Sequence, residues 1–393
     1  VHLRVVLECV YQRTPDGATW TVTPFWSAFY RRYLGTFSSV EVVARVEAVA
    51  APAVGWRRVD GPDITVRAIT PYRGLGGFLR HRRAVVRELR EMFSGPGALI
   101  LRLPSPLAGC IHADLMRSGR PYGVEVLGDP WDVFAPGVVR HPLRPLLRWR
   151  LSRQQRQQCH AAAAAAYVTE QALQRRYPSA GPSFACSDVD LGPESLAPAP
   201  RTPPAGGPIR LVMVGSLAQL YKAPDVLIRA IAGCRAQGLP LELDLIGDGS
   251  FRPRLERLAG ELGIADQVRF LGHLPAGPAV RECLDRAHGF VLPSRTEGLP
   301  KAMVEAMARG LPCIGSRIGG IPELLDDGDL VPPGDVAALS ALLRLRFSDA
   351  AWMARASARN LERAQAFSNG MLDRRREEFY RAVRDASSPA AVR

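Results

Sequence analysis

The stretch PSRTEGLPKAMVEAMARG, Pro293 to Gly310, decides the fold of the half of the chain that contains it. A short apolar run, Gly289 to Leu292, precedes it, and another, Cys313 to Ser316, follows. Between them Pro300 suits the first turn of a helix, and Gly310 followed by Pro312 suits its stop. Strand, helix and strand in that order predict a parallel unit, with the helix over Pro300 to Arg309. Gly298 to Lys301 then present free backbone N–H groups at the positive end of the helix dipole, where an anion is favoured. Lys301 adds a formal charge there. Glu297 stands in the loop before the helix and Glu305 one turn inside it. Eight residues at helical rise is about 12 Å, too far for two carboxylates acting on one bond. The spacing suits two carboxylates that hold hydroxyls at opposite ends of one ligand, with a diphosphate between them. Taken singly, each glutamate also reads as an ordinary cap or surface residue.

The same alternation extends outward. Strands are predicted at Ile209 to Val214, Leu241 to Ile246 and Val268 to Leu271. Helices are predicted at Ala223 to Arg235, Arg252 to Leu262 and Pro278 to Ala287, and at Val336 to Arg346 behind the N-cap Asp335. Two more helical stretches, Ala350 to Ala366 and Met371 to Asp385, precede a frayed tail, Ala386 to Arg393. Upstream, GPESLAPAPRTPPAGGP (Gly192 to Pro208) is too rich in proline and glycine for regular structure and reads as a linker. The N-terminal half has strand-like runs at Leu3 to Val10, Val40 to Ala50, Ile64 to Ile69, Ala98 to Leu103 and Tyr122 to Leu127. Helical stretches fall at Arg80 to Phe93 and Ala108 to Ser118. The expected organisation is an N-terminal domain over 1–191, a linker over 192–208 and a second domain over 209–367. A helix and tail over 368–393 would return to the first domain.

Of 51 basic residues two are lysines, Lys222 and Lys301, leaving 49 arginines. That choice, with the abundance of Ala, Pro and Gly, reads as coding bias, so the net charge of +13 is weak evidence for nucleic acid. Both lysines fall in segments that would bind phosphate. The seven cysteines are scattered without a C-x-x-C pair, which fits reduced thiols in a cytoplasmic protein. No basic start followed by an apolar run suggests a signal peptide, and Ala161 to Val168 is too short to span a bilayer.

Ligands of doubly wound sheets bind at the carboxyl ends of strands. After Val214 comes GSLAQLYKAPD, in which Gly215 lets backbone approach a ligand and Lys222 stands near the next helix start. A cation there opposes the helix dipole unless an anion is bound. A solvated surface lysine is the plain alternative. The next strand exit, Gly247-Asp248-Gly249, is a tight turn that also fits a nucleotide-side loop.

These segments resemble the retaining glycosyltransferases of family 4. The resemblance rests on EGLPKAMVEAMARGLP, on VGSLAQLYKAPDVLI and on LIGDGSFRPRLERLAGELGIADQVRFLGHL, and covers about Ile209 to Leu345. It implies an α/β chain of GT-B fold, two facing Rossmann-like domains with parallel sheets and a cleft between them. It further implies that Glu297 holds hydroxyls of the transferred sugar and that the amides of Gly298, Leu299, Lys301 and Ala302, around Pro300, contact sugar and diphosphate. Glu305 would bind the ribose and Lys222 would neutralise the leaving diphosphate. Gly215 and Ser216 would lie beside the phosphates, with Asp248, Arg254, Phe270 and Gly272 around the base. The donor would be a nucleotide sugar, UDP-sugar first and GDP- or ADP-sugar next, with no metal or other cofactor. The acceptor would be a glycan, a glycolipid or a small molecule.

Two departures stand out. Many members have Gly-Arg at the first strand exit, where this chain has Gly215-Ser216. Many have a histidine at an N-terminal strand end, where this chain reads LILRLPSP (Leu99 to Pro106). His112 falls inside the next helical stretch. Arg102 and Asp129 are the remaining catalytic candidates on that side, and Ser105 and Gly17 the acceptor-side ones. Gly17 equally reads as part of an ordinary turn. Asp188-Val189-Asp190 spells the D-x-D metal motif of another glycosyltransferase fold, but its place before the linker reads as a turn. The arginine-rich segment Arg140 to Arg156, with leucines and Trp149, fits either peripheral contact with an anionic membrane or a helix packed on the sheet. Two other readings remain: a nucleotide-sugar epimerase of the same fold, and a basic nucleic-acid-binding protein. The first needs carboxylate and histidine acid/base groups around the sugar, and the N-terminal strand ends are poor in these. The second calls for arginines interleaved with aromatics along one surface, whereas the motifs cluster at strand exits.

Overall fold

The computed structural model describes residues 1–93, 95–135 and 141–388. They form two α/β units, each built on one sheet. The first sheet contains β1 (His2–Arg13), β2 (Thr19–Thr21), β3 (Ser39–Ala48), β4 (Arg57–Arg58), β5 (Ile64–Ile69), β6 (Ala98–Leu103), β7 (Gly123–Val126), β8 (Ala164–Tyr167) and β9 (Ser183–Ala185). Its parallel body runs β5-β3-β1-β6-β7-β8-β9. The second contains β10 (Ile209–Val214), β11 (Leu241–Ile246), β12 (Val268–Gly272), β13 (Gly289–Leu292), β14 (Cys313–Ser316) and β15 (Leu330–Val331). It is parallel throughout, in the order β12-β11-β10-β13-β14-β15. Helices cover both faces, so the inner strands are apolar on both sides. All four residues of β13 and of β14 are buried.

The first sheet departs from an all-parallel expectation. β1 is 12 residues long and outruns β6, with which it pairs only over Leu3–Val6. Its free upper end takes an antiparallel partner, β2, which in turn pairs with β4. The register of β1 against β3 slips between Val6 and Val10, so Leu7 to Cys9 bulge at the level where the body of the sheet ends. The run Ala161 to Val168 contains β8, a short buried strand whose alanines carry too little apolar weight to announce it.

The linker is not wholly irregular. Pro193–Ser195 forms a 3-10 turn. Arg201 then fixes the segment to the second unit through the carbonyls of Arg309, Asp285 and Ala287 and the Asp285 carboxylate. The last helix, Asn369–Ala386, packs on the first sheet, not the second. Its Val383 and Phe379 lie over Gly123, where a side-chain carbon would come within 2.4 Å of Val383 Cγ2. Tyr380 meets Tyr33 at 4.8 Å between ring centres.

Candidate active site

In an open parallel sheet the crevice opens where strand order reverses. In the second sheet that point lies between β10 and β13. Gly215 follows β10, and the loop Pro293 to Pro300 follows β13. A 3-10 turn, Leu220–Lys222, turns the chain after Gly215 and ends at Ala223, which is fully buried and left-handed (φ 56°). A left-handed alanine costs about 1 kcal/mol, held here by burial and by Pro224 starting the next helix. The aliphatic stem of Lys222 then runs over Gly215, where an added side-chain carbon would sit 3.1 Å from Lys222 Cγ. Its Nζ donates to Glu297 Oε1 at 2.6 Å. Ser294 Oγ donates to the same oxygen at 2.7 Å. The two side chains are only 13% and 7% exposed.

A second pair holds the two segments in register. Arg295 makes two bonds to the Asp225 carboxylate, at 2.9 and 2.8 Å, and one to the Leu220 carbonyl. Its backbone N–H reaches the Tyr221 carbonyl at 2.7 Å. Ser316 Oγ donates to the Ser294 carbonyl at 2.6 Å. Sequence reasoning passed over Arg295, Asp225 and Ser294. They lie inside the quoted motifs, but nothing in their spacing says that they face one another.

The helix after the loop spans Lys301–Ala308, with Pro300 as its N-cap. Lys301 is exposed, and Glu305, one turn on, is half-buried. Burial pushes the Glu305 carboxyl above its usual range, Lys301 draws it partly back, and Asp190 raises it further. On the other side of β10, Gly247 has φ 137° and Gly249 φ 156°. Side chains there would overlap the Gly215 carbonyl and the Ala218 amide. Asp248 lies 3.6 Å from Arg252, whose guanidinium sits 5.9 Å from the Phe270 ring centre and near Gly272. Arg252 thus reaches this corner, and Arg254, two residues on, is exposed. Ser216 is exposed and accepts from the Ala218 amide.

The loop Pro293 to Pro300 abuts the first unit. A side-chain carbon on Gly298 would come 2.4 Å from the Leu127 carbonyl and 3.3 Å from Val168. Leu127 and Val168 directly follow β7 and β8. Most residues expected on this side are engaged internally. Arg102 is buried among Glu125, Asp188 and Tyr33, and Arg32 joins the same carboxylates. Asp188 of the D-x-D sequence pairs with both Arg102 and Arg32, in a stretch that forms no turn, where its place before the linker reads as one. Asp129 caps a short helix through the Trp131 amide and accepts from Arg176 and Tyr177. His112 stands in the helix Pro106–Ser118 beside Gln157, and burial lowers its pKa. Gly17 closes a turn onto Thr14 and lines an open cavity of about 770 Å³ with Arg13, Arg31 and Arg58. That cavity is lined by residues of the first unit alone.

Ser105 is differently placed. Strand order in the first sheet reverses between β1 and β6, so its crevice lies between the β1 bulge and Ser105. There Glu8 accepts from Ser105 Oγ (3.3 Å) and the Leu107 amide (2.9 Å), and pairs with Arg45 at 3.0 Å. Tyr72 donates to it at 3.3 Å. Glu8 is a charge inside an apolar strand, a signal available in the sequence and not taken up there. Among the described residues no group of three or more His, Cys, Asp or Glu could hold a metal ion.

The profile of the glycosyl transferases group 1 family matches residues 208–348. The chain carries a glycosyl transferases group 1 domain. It is similar to protein CapJ of Staphylococcus aureus, 25% identical over 81% of this chain and 80% of that one. It is 37% identical over 36% of each chain to the amylovoran biosynthesis glycosyltransferase AmsK of Erwinia amylovora, so that match spans about a third of the relative. Among solved structures, sucrose-phosphate synthase from Thermosynechococcus elongatus superposes with a TM-score of 0.71 at 19% identity, over 98% of this chain and 100% of that one. HepE of Anabaena, solved with UDP, gives 0.62 at 16% identity over 96% and 99%. The fold is GT-B, and the domain is that of a sugar-transferring enzyme.

Proposed function

We propose that the chain is a retaining glycosyltransferase of family 4 that moves a hexose-type sugar from a nucleotide diphosphate sugar to an acceptor hydroxyl. The observation that carries the reading is the Lys222–Glu297 pair at the strand-order reversal, beside the N-terminus of the Lys301–Ala308 helix. A carboxylate that holds a sugar hydroxyl and an ammonium that meets a phosphate belong on the two sides of one sugar–phosphate bond. Lys222, Lys301 and the free amides after Glu297 stabilise the departing diphosphate, the point at which charge develops. Glu305, which makes no side-chain bond here, takes the ribose hydroxyls, and Arg252 and Phe270 flank the base. No step in this scheme calls for a metal. HepE was solved with UDP, which makes a UDP-sugar the first donor to test. Thermal-shift titration with UDP, GDP and ADP and their sugars tests the reading. No stabilisation by any of them would sink it.

The first domain would bind the acceptor, in the crevice at Glu8 and Ser105. The helix Arg144–His160 leaves Leu146 and Trp149 more than half exposed among arginines, and Leu143 is exposed just before it. Arg140, the first residue of that basic segment, lies outside the described residues. This surface supports a cytoplasmic enzyme working at an anionic membrane on a lipid-linked acceptor. Co-sedimentation with phosphatidylglycerol vesicles, against phosphatidylcholine ones, checks it, and equal partition into both would remove the idea. No helix of the described residues is long and apolar enough to cross a membrane.

A further inference from the structure

Gly319 and Gly320 follow β14 and lie against the donor-side loop. A side-chain carbon on Gly319 would fall 2.1 Å from the Glu297 carbonyl, and one on Gly320 2.8 Å from the Gly298 carbonyl. The Gly320 amide donates to that Gly298 oxygen at 2.7 Å. Three residues on, the Glu323 carboxylate leaves its own domain. It accepts the backbone N–H groups of Glu170 (2.6 Å), Gln171 (3.0 Å) and Ala172 (2.6 Å), just after β8 in the first domain. These are free amides at the start of the short helix Ala172–Arg176, and a carboxylate from the same domain would ordinarily cap them. Here the cap comes from across the cleft.

The two chain crossings between the domains lie side by side. The chain crosses between them near Leu191 and again near Ser368, and the crossings are stapled together. Asn369 N donates to the Leu191 carbonyl (3.0 Å), Leu191 N donates to Asn369 Oδ1 (2.8 Å), and Asn369 Nδ2 donates to Asp190 (2.7 Å). Across the cleft, the second domain meets one short strip of the first at three places among the described residues: Gly298 on Leu127 and Val168, Gly320 beside Thr169, and Glu323 on the next three amides. The first two are backbone approaches without polar bonds across the interface. Glu323 is the charged one of the three.

We propose that Glu323 is a positioning residue: its carboxylate latches the second domain onto residues 170–172 and so presses the Glu297–Gly298 loop against the ends of β7 and β8. It touches no substrate and acts through the loop that Gly319 and Gly320 support. Three charge-assisted bonds to amides are lost on truncation, which shifts the closed-to-open ratio by about tenfold or more. The inference rests on the transferase reading only for its consequence in turnover. The latch itself is read without substrate.

The test uses the full chain and two variants, Glu323→Gln, which keeps the shape and one accepting oxygen, and Glu323→Ala. Hydrogen exchange and small-angle X-ray scattering are measured on each without ligand. The expected result is faster exchange at the amides of 170–172, and also at Leu127, Val168 and 298–302, with a larger radius of gyration. The effect should be greater in Glu323→Ala than in Glu323→Gln. With a donor that wild type turns over, the ratio of transfer to donor hydrolysis should fall about tenfold, because an opened cleft admits water. Exchange changes confined to 170–172, with an unchanged radius of gyration, would show a local helix cap and overturn the proposal. If wild type turns over no nucleotide sugar, the transferase reading fails while the exchange and scattering results still decide the latch.

Discussion

Replacing Lys222 separates a structural ion pair from a catalytic cation. The change is Lys222→Met, which keeps the apolar stem over Gly215 and removes the charge. At an N···O distance of 2.6 Å and an effective dielectric of 20, the raw attraction to Glu297 is about 6 kcal/mol. Desolvation of two side chains that are 13% and 7% exposed cancels much of it. Loss of one partner leaves the Glu297 charge with Ser294 as its donor side chain and should cost about 3 kcal/mol. For a domain of this size that lowers Tm by roughly 6–12 °C. Removing both charges, in Lys222→Met with Glu297→Gln, leaves no unpaired ion, so most of the lost Tm should return. Turnover should not return. The diphosphate would lose its cation and the sugar its carboxylate, and one missing charge stabiliser costs about 100- to 1,000-fold in kcat. Differential scanning fluorimetry reads the first quantity and nucleotide release with acceptor present reads the second. Recovery of turnover together with Tm in the double variant would refute the assignment, as would normal turnover in Lys222→Met.

Glu305 should make nucleotide binding depend on pH. Burial holds its carboxyl above the usual carboxylate range. Ribose hydroxyls that donate to the carboxylate favour its charged form, so binding lowers this pKa. Affinity is then fully present above the raised pKa and is lost as pH falls through it. Calorimetric titration of UDP between pH 4.5 and 7.5 should show this loss in wild type, and a flat profile in Glu305→Gln at lower affinity, and an identical slope in both would exclude Glu305. Gly298→Ala places a methyl 2.4 Å from the Leu127 carbonyl, which cannot yield as a flexible side chain would. Nucleotide affinity should stay within about threefold of wild type while kcat falls more than about tenfold, because the clash lies between domains. Unchanged kcat would mean that turnover does not need this approach.

Much of the second domain was legible because its strands are short, β-branched and buried on both faces. β10, β11, β13 and β14 begin and end where the apolar runs do. The first domain was less so. β8 is a run of alanines, and β2 and β4 are three and two residues long. Such segments are strands only because a neighbour has an unpaired edge to offer. Arg252 was not singled out beside Arg254 because two residues on a helix differ by about 200° in direction, and spacing alone does not say which way the helix is turned.

By itself the sequence determined the α/β alternation and the parallel order of the second sheet's units. It also determined the local features of the segment Pro293 to Gly310: glycine where backbone must approach, proline and free amides at a helix start, and two glutamates eight residues apart. Those properties are local, set by backbone conformation and side-chain type. Only the tertiary structure decided that Lys222 and Glu297, 75 residues apart, share one hydrogen bond. It alone turned Arg102 and Asp188 into a buried pair and brought Glu323 to the amides of the other domain. Such pairings depend on how strands are ordered and how domains meet, and no period or spacing along the chain encodes them.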